Sequence, residues 1–313
     1  MRARGLESAT VGQMRPDVEK AVSLLQQDND ESLEQALSLL QDTVFSFSMR
    51  VCGQREDAED TMQDVLVKSV PYLPKFESAK ALVVWLYKVA KNRCLMSRRK
   101  SKFAPKQELS LEELMPDRKE LEGLGAESIN PEMFAIHSEE SARVREAIQK
   151  LSPQYRIVLV LRDMEGLTDD EVAEVTGLRP GTVRVRLHRA RLFVRKELIK
   201  VWKPPVRGSI AAQPVRVAEL PKPARCKALF AELSNYLDEQ LDDSLCEKLE
   251  QHLEGCSPCK AFLASLQATI EQCRRSPAEC PKSEQAAQLR KHLMDKYKRA
   301  FAAVAGSSLA NKA

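Results

Sequence analysis

His252, Cys256 and Cys259 stand as H-x3-C-x2-C, with Cys226 upstream. An imidazole and thiolates at that spacing suit zinc, which takes four nitrogen and sulfur ligands in a tetrahedron, and C-x2-C brings two thiolates to one ion. His252 lies one helical turn before Cys256, Gly255 can end that helix, and Ser257-Pro258 can start the next. The ligands then converge at a helix junction, where a small domain with little core gains most from a metal. The expected role is structural or regulatory. His252-x-Glu254 ahead of CxxC superficially matches a zinc deaminase. The spacing is too short for the separate helices such a site uses, and four protein ligands leave no position open for water. No enzyme activity is expected.

A second set of residues is basic. Arg184, Arg186, His188, Arg189 and Arg191, with Thr182 as a further DNA-contact candidate in the first turn, belong to a helix whose apolar stripe is Val183, Leu187, Ala190 and Val194. Arginines so placed can pair with guanine edges and phosphates in a major groove. Charge alone fits a solvated face equally well, so the surrounding elements decide. Thr168-Asp169-Asp170-Glu171 is a capping box that opens a helix over Leu167–Val175. Gly177 ends it, and Pro180 opens the basic helix Pro180–Arg195. A helix, a tight turn and a second helix make a helix-turn-helix.

Further elements follow from periodicity. Leu33, Leu37, Leu40, Val44, Phe47 and Val51 step by three or four, as one buried helix face does. Glu56–Tyr72 forms a second helix, ended by Pro71 and Pro74. Ala79–Arg99 forms a third, with Leu82, Trp85, Leu86, Val89 and Ala90 inward and Lys88, Lys91, Arg93, Arg98 and Arg99 outward. Residues 101–141 are acidic, hold Pro105, Pro116 and Pro131, and read as a flexible linker. Residues 203–225, with five prolines, read as a second linker. Strand signals are weak throughout. The expectation is an all-α chain: residues 1–100 and 142–202 as two small helical domains, and residues 226–313 as a small helical zinc-binding domain. A basic amphipathic helix over Ser283–Ala303 is expected to cap the small domain, the alternative being a contact with the other two.

GQREDAEDTMQDVLVKSVPYLPKF with VVWLYKVAKNRCLMSRRK resembles region 2 of the extracytoplasmic-function sigma factors, and LSPQYRIVLVLRDMEGLTDDEVAEVTGLRPGTVRVRLHRARLFVRKEL resembles their region 4. The resemblance implies that Asp57, Asp60, Gln63 and Asp64 dock core RNA polymerase. It implies that Asn92, Arg93, Arg98 and Arg99 face the melted minus-ten element, and that the basic helix reads the minus-thirty-five element. An acidic helix can meet a basic partner surface, and a basic one can hold single-stranded phosphates. The loop Pro74–Lys80, with Lys75 and Phe76, is expected to hold a flipped-out base. Val185 and Met96 depart from the family, which commonly has a small polar and an acidic residue there. RCKALFAELSNYLDEQLDDSLCEKLEQHLEGCSPCKAF is similar to the zinc-binding anti-sigma domain, and this likeness implies Cys226, His252, Cys256 and Cys259 as the zinc ligands.

The expected partners are therefore core RNA polymerase and promoter DNA, with the zinc domain touching the sigma domains of its own chain and regulating them. Two other readings stand beside this one: a zinc domain that holds another protein, and a helix-turn-helix regulator that works without polymerase. The acidic Asp57–Asp64 helix and the basic Lys88–Lys100 stretch speak against the regulator, which needs neither. No segment has the ~18–20 apolar residues of a membrane span, and the first residues lack the apolar core of a signal peptide, so a cytoplasmic protein is expected. In that reducing compartment the eight cysteines read as thiols or metal ligands. Cys52 and Cys94 are then packing residues, and Cys246, Cys273 and Cys280 spare thiols.

Overall fold

Three helices of this chain begin where a side chain satisfies a free N–H group of the first turn. The Asn29 side chain accepts from the Ser32 N–H at 2.7 Å, and that of Asp242 from Leu245 at 3.0 Å. Thr168 and Glu171 close the reciprocal capping box. Two helices stop at glycines in the left-handed region, Gly53 (φ 81°) and Gly177 (φ 76°), which an L side chain would strain. In the computed structural model the described residues are 16–27, 29–76, 78–99, 109–116, 138–201, 229–230, 232–277, 280–281 and 283–310. In chain order the helices are α1 (Pro16–Leu25), α2 (Asp30–Cys52), α3 (Arg55–Ser69), α4 (Ala79–Arg99), α5 (Leu111–Leu114), α6 (Ser138–Lys150) and α7 (Pro153–Leu159). There follow α8 (Asp169–Thr176), α9 (Pro180–Val201), α10 (Leu233–Leu237), α11 (Asp243–Gly255), α12 (Ser257–Arg275) and α13 (Ser283–Ala310). A π-helical turn spans Val160–Met164. No strand occurs among the described residues, as an all-α chain requires.

The helices form two compact units. The first holds residues up to 105, 160–180 and 277 onward. Its core contains the stripe expected of α2, with Leu37, Leu40, Val44 and Phe47 fully buried, each contributing about 1.5–3 kcal/mol by leaving water. Phe47 stacks on Tyr87 of α4 at 4.5 Å. Glu165, at the end of the π turn, is gripped by Arg50 of α2 (2.7 Å) and the Tyr87 hydroxyl (2.5 Å). Helix α8 packs on α4, where Lys91 donates to the Val175 carbonyl at 2.8 Å and Lys80 pairs with Glu171 at 3.0 Å.

Four expectations need correction in this unit. Lys91 is half-buried beneath α8, not outward. Trp85 and Val89 are half-buried at the rim of the α4 stripe, and Trp85 has Tyr72 (5.7 Å) and Phe76 (6.1 Å) as ring neighbours. Cys52 and Cys94 are joined as a disulfide, because α2 and α4 bring their Cα atoms to 5.6 Å, inside the bonding range. Helix α13 lies on α2 and α3 instead of capping the zinc domain. The buried Gln41 amide donates to the Ala286 carbonyl and accepts from Arg290, both at 3.0 Å, so the contact has a polar lock as well as an apolar seam.

The second unit holds residues 106–159 and 181–276. Buried Arg156 of α7 donates to the carbonyls of Ile148 (3.1 Å), Gln149 and Leu151 (2.8 Å), which satisfies the orphan end of α6. Within the stretch expected to be a linker, residues 109–116 are anchored. Leu109 and Leu114 are buried, the Leu109 N–H reaches the Tyr155 hydroxyl at 3.2 Å, and Lys196 donates to the Glu113 carbonyl at 2.6 Å. The rest of residues 101–137 and the expected linker 203–225 lie outside the described residues. Helices α10 to α12 share an apolar centre of Leu233, Leu249, Leu253, Phe262, Leu266 and Ile270, with Phe230 edge-on to Phe262 at 4.6 Å.

Candidate nucleic-acid interface and metal cluster

The metal cluster is built by one backbone corner. Helix α11 ends at Gly255, Cys256 is both the residue that closes α11 and the one that opens α12, and Pro258 fits the first turn of α12. This corner brings ligand atoms of His252, Cys256 and Cys259 within 4.8 Å of one another. The His252 Nε2 to Cys259 Sγ separation is 3.3 Å, and both cysteines are buried. One imidazole and two thiols facing a common point are the soft donor set of a structural zinc site. Cys226, the expected fourth ligand, lies outside the described residues.

The basic helix, α9, presents three different faces. Val183, Leu187, Ala190 and Val194 are buried as expected. A second row, His188, Arg191 and Arg195, is also buried, against Ser234 of α10, Asp238 just after it, and Phe262 and Ser265 of α12. Arg191 makes two hydrogen bonds to the Asp238 carboxylate, 2.7 and 3.0 Å, with side chains only 1% and 5% exposed. The His188 Nδ1 lies 3.0 Å from the Ser234 hydroxyl. Burial pushes the His188 pKa down to about 4, helped by the charges of Arg191 and Arg189. Arg195 donates to the Ser265 hydroxyl at 2.6 Å and stacks its guanidinium 3.7 Å over the Phe262 ring. The third row, Thr182, Val185, Arg186 and Arg189, is exposed or half-exposed, as is Arg184 beside it.

In the first unit Lys75 and Asn92 are exposed and Phe76 is half-buried. The backbone places Arg98 and Arg99 at the end of α4. Arg93 pairs with Asp64 at 2.8 Å, joining one residue expected to face DNA with one expected to face polymerase. Asp60 and Gln63 are exposed and Asp57 half-exposed on α3. Glu59, Asp60 and Gln63 share an open cleft with Gln285, Gln288, Leu289 and His292 of α13.

Residues 37–103 match the family model for sigma-70 region 2 and residues 141–194 that for sigma-70 region 4. Residues 226–260 match a model described as "Putative zinc-finger". Among curated proteins, an ECF RNA polymerase sigma factor, SigW of Bacillus subtilis, is 25% identical over 182 residues, covering 58% of this chain and 96% of that protein. SigE of Mycolicibacterium smegmatis, another ECF sigma factor, is 31% identical over 160 residues, covering 51% of this chain and 58% of that protein. The sigma-E factor of Escherichia coli is 29% identical over 145 residues, covering 43% and 70%. The chain thus carries sigma-70 regions 2 and 4 and is similar along them to the extracytoplasmic-function sigma factors. It carries in addition an anti-sigma-like C-terminal part.

Sigma factors are in general initiation factors and not enzymes. No helix among the described residues of this sigma factor is long and apolar enough to cross a membrane. Sequence reasoning missed Arg195, Ser234, Asp238, Phe262 and Ser265. The signal for Arg195 was its spacing, since 188, 191 and 195 step by three and four along one face. No pattern in the sequence marks Asp238 as the partner of Arg191.

Proposed function

We propose that this sigma factor brings core RNA polymerase to promoter DNA and is held in check by its own zinc-binding domain. The observation that carries the second half is the buried Arg191–Asp238 pair, because it spends a basic residue of the recognition helix on a contact within the chain. The functional parts are residues 1–100, 142–202 and 226–313, the last of which sends α13 onto α2 and α3. Asp57, Asp60, Gln63 and Asp64 meet the polymerase. Lys75, Phe76, Asn92, Arg93, Arg98 and Arg99 serve the minus-ten element, and Thr182, Arg184, Arg186 and Arg189 the minus-thirty-five element. His188 and Arg191 join that set only when the zinc domain lets go. The cleft that α13 shares with Asp60 and Gln63 supports a second point of restraint, on the polymerase-facing helix.

His252, Cys256 and Cys259, together with Cys226, would hold zinc, which would cross-link the α11–α12 corner. Tethering gives the domain an effective concentration on the order of mM, so modest docking energy keeps it closed. The work is done in the cytoplasm, where polymerase is, and needs no enzyme activity. Co-sedimentation with core polymerase tests the reading. The intact chain should bind weakly and the Asp238→Ala chain more tightly; binding by neither would contradict it.

A further inference from the structure

The open row of α9 has an apolar residue at its centre. Val185 is 50% exposed, and with Tyr72 and Met96 it is one of three large exposed apolar side chains among the described residues. Neither packing nor helix preference accounts for it, since a β-branched residue on an exposed helical surface is a poor choice for both. Its surroundings are ionic. Arg184 and Arg186 flank it in sequence, and Thr182 and Arg189 share its face at spacings of three and four. The neighbouring row of His188, Arg191 and Arg195 is covered, whereas this row is not.

We propose that Val185 is a specificity-determining residue that reads thymine in the minus-thirty-five element. This inference rests on the sigma reading above. In a major groove the thymine C5-methyl is the apolar group displayed on a base edge. A valine held between arginines that grip phosphates or guanines meets that methyl and no donor or acceptor. A cytosine in the same place offers an amino group that a valine leaves unsatisfied, so the contact rejects as well as attracts.

The test uses the full chain with core polymerase, both wild type and Asp238→Ala, on duplexes whose upstream block is randomised. Bound duplexes are recovered, and each thymine of the selected element is then replaced singly by deoxyuridine, which lacks only the methyl. One replacement should weaken wild-type binding about fourfold, the worth of one buried methyl. Val185→Ser should abolish that sensitivity while still binding the element, and Val185→Thr, which keeps one methyl, should retain part of it. A selected element with no deoxyuridine effect, or an effect unchanged in Val185→Ser, overturns the thymine contact and leaves the sigma reading standing. No element enriched above core polymerase alone overturns both.

Discussion

Arg191 and Asp238 lie 47 residues apart and meet through two hydrogen bonds that water does not reach. A guanidinium on the polar side of a helix of this composition would ordinarily be solvated. Here it is desolvated, and the geometry is the bidentate fork that best repays that cost. Removing the carboxylate leaves the buried cation short of its main counter-charge. Asp238→Ala should therefore weaken the docking of α10 on α9 by about 3–5 kcal/mol, measured as earlier protection loss of α10 and α12 in amide exchange. Unchanged protection would show that the pair is incidental.

His188 makes this contact sensitive to pH. Its pKa is pushed down to about 4 in the folded chain from about 6.5 in the unfolded one. Above pH 6.5 the imidazole is neutral in both states and the linkage is silent. Below it the unfolded chain binds the proton and the folded chain does not, so stability falls by up to about 1.4 kcal/mol per pH unit until about pH 4. Urea melts between pH 7.5 and 4.5 should show a steeper loss for wild type than for His188→Gln. Parallel curves would remove His188 as the cause.

Zinc removal should act on the same surface from the other side. Without a metal cross-link the corner at Cys256 would be held only by the apolar packing of Leu249, Leu253 and Phe262, too small a core to keep α11 firmly against α12. Chelation is expected to lower helicity, measured by circular dichroism, and to expose the row His188, Arg191 and Arg195 to solvent exchange. The metal content should be one zinc per chain, and Cys226→Ser should weaken its retention. A metal-free chain of full helicity would show that the corner stands on packing alone.

Glu165 offers a check on the first unit. Its carboxylate is fully buried between Arg50 and Tyr87, so Glu165→Gln should cost roughly 3 kcal/mol and Tyr87→Phe about 1 kcal/mol. Both are read from denaturation midpoints.

Much of the fold was legible because helices announce themselves locally. The stripe of α2, the capping box at Thr168 and the H-x3-C-x2-C corner each follow from spacings within one or two turns. What a side chain meets across the fold is not local. Periodicity says that Leu82 and Leu86 go inward, but whether Trp85 at the rim is covered depends on Tyr72 and Phe76 arriving from another segment. Charge placed Lys91 outward, yet its ammonium reaches a carbonyl of α8, and burial, with the nearby charge of Lys88, lowers its pKa. Cysteine usage argued for free thiols, while the approach of α2 and α4 that pairs Cys52 with Cys94 is a tertiary fact. The candidate site divides the same way: the cluster corner was readable, and the Asp238, Ser234 and Ser265 partners of α9 were not.

Run-off transcription with core polymerase on a promoter carrying the selected element, comparing the intact chain with Asp238→Ala, tests the central claim most directly. The account predicts a promoter-dependent transcript from both, several-fold stronger from Asp238→Ala, with chelation raising the intact chain toward that level. A transcript that falls on Asp238→Ala or on chelation would contradict restraint by the zinc-binding domain, and no promoter-dependent transcript from either chain would contradict the sigma function itself.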